Sequence, residues 1–246
     1  AIFAHYFENL FMKKAFSILA LAALAQLSAS AQEEKKEKAN EWVKPSRDFV
    51  MIQLHHDGWN IASGENVKMG SIGRGFSAYL MYDFPLGNNK EKTHFSFAAG
   101  AGVSANNIYF KGQLPNLRSA TTLTIIDTDS LWKKNKYTTA FIEMPLELRF
   151  FGNSANRNKG FKMAIGAKVG LLLDSHTKYS EPISGTYLNH KIHAKKFNES
   201  WRLAPMVRIG WGNFSIFAQY NVSTLYKMNE GPKIFPYSVG LTITGL

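Results

Sequence analysis

Residues 138–150 read TTAFIEMPLELRF, with Thr138, Ala140, Ile142, Met144, Leu146, Leu148 and Phe150 on one parity and Thr139, Phe141, Glu143, Pro145, Glu147 and Arg149 on the other. Side chains of a strand alternate between its two faces, so this stretch predicts a strand with one greasy face. It is long enough to cross a bilayer, which takes about 9–11 tilted strand residues. The pattern recurs. Phe161, Met163, Ile165, Ala167, Val169, Leu171 and Leu173 oppose Lys162, Ala164, Gly166, Lys168, Gly170 and Asp174. Phe95, Phe97, Ala99, Ala101 and Val103 oppose His94, Ser96, Ala98, Gly100, Gly102 and Ser104, and Tyr237, Val239, Leu241 and Ile243 oppose Ser238, Gly240, Thr242 and Thr244.

Apolar alternation bounded by Gly, Pro, Asn and Asp places strands near 48–57, 74–84, 93–104, 137–151, 160–174, 201–211, 213–222 and 236–245. The connections near 58–73, 105–136, 175–200 and 223–235 are long, whereas those at 85–92, 152–159 and 212–213 are short. Bacterial outer-membrane barrels pair long extracellular loops with short periplasmic turns. The predicted fold is all-β: a closed up-and-down antiparallel transmembrane β-barrel of about eight strands, spanning residues 48–246, with both termini periplasmic.

Periodicity alone leaves a soluble lipocalin-like barrel open, since that fold alternates too, with its greasy face inside. The polar face favours the membrane. It is rich in Gly, Ala and Ser with isolated charges, as a crowded lumen requires, whereas a water-washed exterior carries abundant Lys, Glu and Thr. Trp59, Tyr82, Phe84, Phe150, Phe161, Trp201, Trp211, Tyr220 and Tyr237 fall near strand ends, where amphipathic rings form interfacial girdles.

The segment before the strands reads as an export address. Met12-Lys13-Lys14, the apolar run Ala15 to Ala25 and Ala29-Ser30-Ala31 form the three zones of a secretory signal peptide over 12–31, with cleavage expected before Gln32. Residues 1–11 contain no Met and read as an upstream extension, and 32–47 as a charged periplasmic leader. About 215 mature residues suffice for one barrel and are few for two domains. The chain has no Cys, which excludes disulfide frameworks, thiolate metal sites and Cys nucleophiles. Its formal charge of +11 drops by one when Glu8, Lys13 and Lys14 leave with residues 1–31. No RNA-recognition or zinc-finger spacing accompanies that charge, so anionic outer-membrane lipid, and not nucleic acid, is the expected partner.

The segment IEMPLELRF, Ile142 to Phe150, resembles the E-x-P-L strand of PorT-like outer-membrane barrels of Bacteroidota. The Ala31-Gln32 cleavage site, the Gly-bearing strand 160–174 and the closing YSVGLTI strand are similar as well. The resemblance covers about residues 48–246 and implies an outer-membrane barrel. In some members it also implies an association with type IX secretion and the maturation of exported proteases. The chain ends Gly245-Leu246, without the terminal aromatic that barrel-assembly machinery commonly reads.

The strongest chemical constellation is the inward parity, where Asp83, Glu143, Glu147 and Arg149 can meet Lys162, Lys168, Arg202 and Arg208. Eight strands enclose just enough room for side chains, so such charges must pair and satisfy one another. The expected result is a plugged lumen, with a gated pore or solute site as the alternative. Pro145, in a strand that otherwise reads as central, removes a ladder hydrogen bond and predicts a local bulge or opening. Candidates for lipid A chemistry are His55, His56, Asp57, His94, Ser96 and Ser104, although the sequence supplies no orienting acid for His94 and Ser96. His190 and His193 lack a third metal ligand, and Gly100 to Ala105 fits a dinucleotide fingerprint only superficially because no helix follows. No metal, cofactor or catalytic set is therefore assigned. The long loop 105–136, with Thr121 to Asp129 and Trp132, is a candidate partner surface. A secretion or envelope barrel, a small solute channel and a lipid-modifying enzyme remain open.

Overall fold

A computed structural model describes residues 49–245, apart from 71, 88–92, 117–120, 129–134, 155, 184–185 and 194. The signal peptide, the extension 1–11, the leader 32–47, Asp129, Trp132 and Leu246 lie outside the described residues. Eleven strands follow in order: β1 (Val50–Ile61), β2 (Gly73–Pro85), β3 (Phe95–Tyr109), β4 (Gln113–Asn116), β5 (Thr124–Asp127), β6 (Asn135–Phe151), β7 (Phe161–Ile183), β8 (Thr186–His193), β9 (Trp201–Trp211), β10 (Phe214–Tyr220) and β11 (Ile234–Thr244). No helix occurs among the described residues.

Eight of these strands close into a barrel in the order β1-β2-β3-β6-β7-β9-β10-β11, every neighbour antiparallel. The ring shuts where β1 meets β11, from Met51↔Thr244 to Ile61↔Ile234. These are the eight strands read from alternation. The other three, β4, β5 and β8, lie in the long connections and escaped that reading because their segments are short and not amphipathic across a bilayer. Long and short connections alternate as expected. The tightest turn, between Trp211 and Phe214, is made by Gly212 with φ +61°, a left-handed conformation that suits glycine.

Burial settles which face points outward. Leu54, Leu80, Ile165, Leu171, Ile209, Ile216 and Leu241 are each more than half exposed, while Gln53, Ser96, Glu147, Arg149, Lys168 and Thr242 are at most 1% exposed. A soluble barrel would bury the first set, so the lipocalin-like alternative is overturned. An apolar belt of this extent needs lipid. Tyr82, Phe84, Phe161, Trp201, Trp211 and Tyr220 project outward, in keeping with girdles, but Trp59 does not. It shares the inward parity of His55 and Asp57 and is buried.

Two irregularities re-aim side chains. Pro145 opens the β3–β6 ladder: pairing stops at Ala99↔Leu146 and resumes at Gly102↔Glu143 in the same register. The opening is there, and the bulge is elsewhere. Register shifts between β6 and β7 at Ala140/Phe141, because Phe141 pairs with Leu172 whereas Ala140 pairs with Asp174. One extra residue on β7 inverts parity beyond it. Ser175 and Thr177 then face inward and are fully buried, and Asp174 turns outward, contrary to its predicted lumen position.

The lipid-facing assignment predicts an asymmetric response to charge. Ile165→Arg should destabilise the barrel by about 2–4 kcal/mol in reversible folding into lipid vesicles, and Trp211→Arg, at the girdle, by about 0–1 kcal/mol. Equal costs at the two positions would contradict the assigned depth.

Candidate lumen plug and loop crown

Among the described buried residues, six cations (Arg149, Arg157, Lys162, Lys168, Arg202 and Arg208) face four carboxylates (Asp57, Asp83, Glu143 and Glu147). All eight residues expected in the lumen are there, sorted into layers. Nearest the short turns, Arg149 Nε donates to Glu147 Oε2 at 2.6 Å, and Arg208 Nη2 donates to the same oxygen at 2.8 Å. Asp83 accepts from Ser96 Oγ at 2.7 Å, faces Arg149 Nη1 at 3.5 Å and pairs with Arg157. Arg157 was not read from the sequence because it sits in the turn 152–160, outside any strand parity. It folds back into the barrel mouth and lies 4.8 Å from the Phe151 ring centroid. Lys162 Nζ donates to Thr244 Oγ1 at 3.2 Å.

The middle layer is held by neutral groups. Lys168 Nζ donates to Gln53 Oε1 at 2.6 Å and Gln219 Oε1 at 2.7 Å, between the rings of Tyr79 and Phe217 at 4.8 and 5.2 Å. This is the physical reason it needs no direct carboxylate contact: amide oxygens and ring faces supply the negative potential. Above it, Arg202 pairs with Glu143, whose Oε2 also accepts from Tyr79 OH at 2.5 Å. Arg202 also donates to Ser104 Oγ at 2.7 Å and Asn106 Oδ1 at 3.0 Å, and packs 4.1 Å from the Phe141 ring.

Higher still, His55 Nδ1 lies 2.7 Å from Asp57 Oδ1 and His55 Nε2 lies 3.0 Å from Ser77 Oγ. With the proton on Nδ1 the order is that of a hydrolytic triad, and Ser77 was not singled out from the sequence. Its surroundings are those of a structural clasp. All three residues are buried, and the Asp57 carboxylate also accepts from Ser238 Oγ, Asn106 Nδ2 and the Asn107 amide. Gly75 and Gly240 flank His55, where any Cβ would collide with it, leaving no approach for an acyl carbonyl. The remaining candidates scatter: Ser96 serves Asp83, Ser104 serves Arg202, His56 meets Gly73 O at 2.9 Å and His94 meets Phe151 O at 2.6 Å. Gly100 and Gly102 lie within the continuous strand β3, so the dinucleotide fingerprint has no helix to open.

An aromatic lid closes the long-loop end. Trp59, Phe110, Leu123, Tyr137, Phe197 and Tyr226 form a buried cluster with Ile108, Leu225 and Ile234, and Trp59 meets Phe110 and Tyr137 edge-on at 5.5 and 6.0 Å. The loops that carry these residues are stitched by backbone hydrogen bonds, Leu123 N to Glu230 O at 2.8 Å and Lys227 N to Phe197 O at 2.9 Å. Between lid and charged layers remains a cavity of about 20 Å³, room for about one water. Part of the loop 105–136 is thus lid, not free partner surface.

Over that lid, Asp127 binds the first long loop to the β4–β5 hairpin, accepting from Lys68 Nζ and Gln113 Nε2 at 3.0 Å each and from Asn66 Nδ2 at 3.2 Å. The Lys68 hydrogen bond, followed by that of Gln113, holds its carboxyl below the usual aspartate range. A depressed folded pKa means the contribution is present above the unfolded value and is lost as pH falls through the folded one. The Gln113 side-chain amide resonances should titrate with a midpoint below that of an ordinary aspartate, and an ordinary midpoint would refute the clamp. For the charged layers, Glu147→Ala should destabilise by about 3–5 kcal/mol, because it removes the carboxylate that two buried guanidinium groups share. The double variant with Arg149→Ala should cost less than the sum of the single changes. Urea unfolding in vesicles measures both.

Residues 46–227 match the outer membrane protein beta-barrel domain. Among solved structures, Ail, the attachment invasion locus protein of Yersinia pestis in complex with the heparin analogue sucrose octasulfate, is similar at 14% identity and a TM-score of 0.37, covering 79% of this chain and 96% of Ail. Neisserial surface protein A is similar at 13% identity and a TM-score of 0.31, covering 79% and 94% respectively. No curated protein sequence matches. The match over residues 46–227, on an eight-stranded barrel with a greasy exterior, shows that the chain belongs to the outer membrane protein β-barrel domain family.

Proposed function

We propose that this outer-membrane barrel is a non-conducting, non-enzymatic scaffold that holds a folded loop crown at the cell surface, in support of protein secretion or envelope structure. The observation that carries this reading is the lumen: among the described residues, ten buried charged side chains, held by one another and by neutral polar groups, fill the interior beneath an aromatic cluster. A pore of this strand number has to empty its interior of side chains, and these side chains hold one another. The rhythm of short turns and long loops supports periplasmic termini and an extracellular crown. PorT-like membership, with a role in type IX secretion in a Bacteroidota envelope, rests on the Ile142–Phe150 strand. Lipid is the obligatory partner, and secretion or envelope proteins would dock on the crown or the leader 32–47.

Planar bilayers test the sealed lumen. The wild-type protein should show no stepwise conductance, whereas a variant with Glu147, Arg149 and Arg208 all changed to Gly removes the central ion cluster of the layer nearest the short turns and should open discrete steps. Conductance in the wild type would favour the channel reading. Deletion of the gene tests the biological half: loss of exported protease maturation supports a secretion role, and a lipid A mass change without it supports an enzyme.

A further inference from the structure

We propose that Asp174, His176 and His193 form a binding site for one divalent cation of the zinc class on the outward face of the β7–β8 hairpin. The bulge opposite Ala140/Phe141 creates it. By turning Asp174 outward, the extra β7 residue puts it on the same face as His176, two residues on, and β8 brings His193 directly across from His176. His176 Nδ1 lies 2.8 Å from Asp174 Oδ2, and His193 Nδ1 lies 2.9 Å from Asp174 Oδ1. All three donor atoms fall within 4.8 Å of one another.

Two imidazoles and a carboxylate are the donor set that suits borderline divalent ions. Tetrahedral zinc with bonds of about 2.0–2.1 Å needs ligand atoms about 3.4 Å apart. The side chains are partly exposed, 37% for Asp174, 13% for His176 and 56% for His193, so an ion can reach them and a small ring rotation closes the set. Each imidazole moves its proton from Nδ1 to Nε2 and offers the freed lone pair, so no net proton is lost from neutral rings. The fourth position stays open to water or to an external donor. Bound metal would tie the far end of β8 to the strand that leaves the barrel wall.

The neighbouring cross-strand pair Lys178↔Lys191 shares this face, and its charge opposes the cation. The pair His190 and His193 does not itself make the site. Three residues apart on a strand, the two rings point to opposite faces, and His190 stacks on Tyr179 at 4.7 Å.

The test is zinc titration, by competition with a chromophoric chelator, of mature protein folded in detergent and carrying no histidine tag. Wild type should bind one equivalent. His176→Ala and His193→Ala should each weaken binding at least about tenfold, His190→Ala should leave it unchanged, and Lys178→Gln with Lys191→Gln should tighten it. Heat-modifiable gel migration verifies that each variant is folded. For a variant that fails to fold, the cobalt(II) absorption spectrum of the wild type stands in, with bands of a nitrogen and oxygen ligand field expected. Absence of saturable binding in the wild type, undiminished affinity in both histidine variants, or a cobalt spectrum of the free aquo ion would overturn the site.

Discussion

Glu147, clasped by Arg149 from its own strand and by Arg208 from β9, two strands along the wall, is the interaction on which the fold turns. Hydrocarbon outside forbids an unpaired backbone edge, so the strands must close into a ring. A ring of eight leaves an interior the width of its own side chains. Whatever faces inward is therefore desolvated, and a desolvated charge without a partner costs several kcal/mol. The chain meets this by layering: arginine–carboxylate pairs near the short turns, a lysine cradled by two glutamines and two rings at mid-height, and a second arginine–carboxylate pair above. Close neighbours on the small positions, Gly75 and Gly240 beside His55, make the space for these large polar groups.

The same constraint separates what the sequence discloses from what it conceals. Parity along Thr138–Phe150 and Phe161–Leu173 was enough to find the strands, their inward charges and the greasy exterior, because a period-two pattern maps directly onto two faces. Asp174 escapes the same logic, since a single bulge residue inverts parity and leaves no mark in composition. Trp59 resembles a girdle residue by type, but its parity with His55 and Asp57 places it inside. Arg157 had no parity to read. The lid and the β4–β5 hairpin depend on contacts between loops far apart in sequence, such as Leu123 with Glu230, which no local pattern encodes.

Structure is thus unevenly distributed between wall and crown. The wall is specified by alternation and would tolerate many apolar exchanges on its lipid face. The crown has a small hydrophobic core of its own, with Tyr137 OH bonded to Asn198 and Ser175. The Asp127 clamp and the Asp174–His176–His193 cluster both lie at that end, on segments that run beyond the barrel wall.

Fluorescence quenching by brominated lipid, applied to single-tryptophan variants in vesicles, tests the inside-out arrangement most directly. A variant retaining only Trp211 should be strongly quenched because that ring meets lipid, while one retaining only Trp59 should be quenched little because that ring is enclosed beneath the lid. Strong quenching of Trp59 with sparing of Trp211 would contradict the assignment of faces.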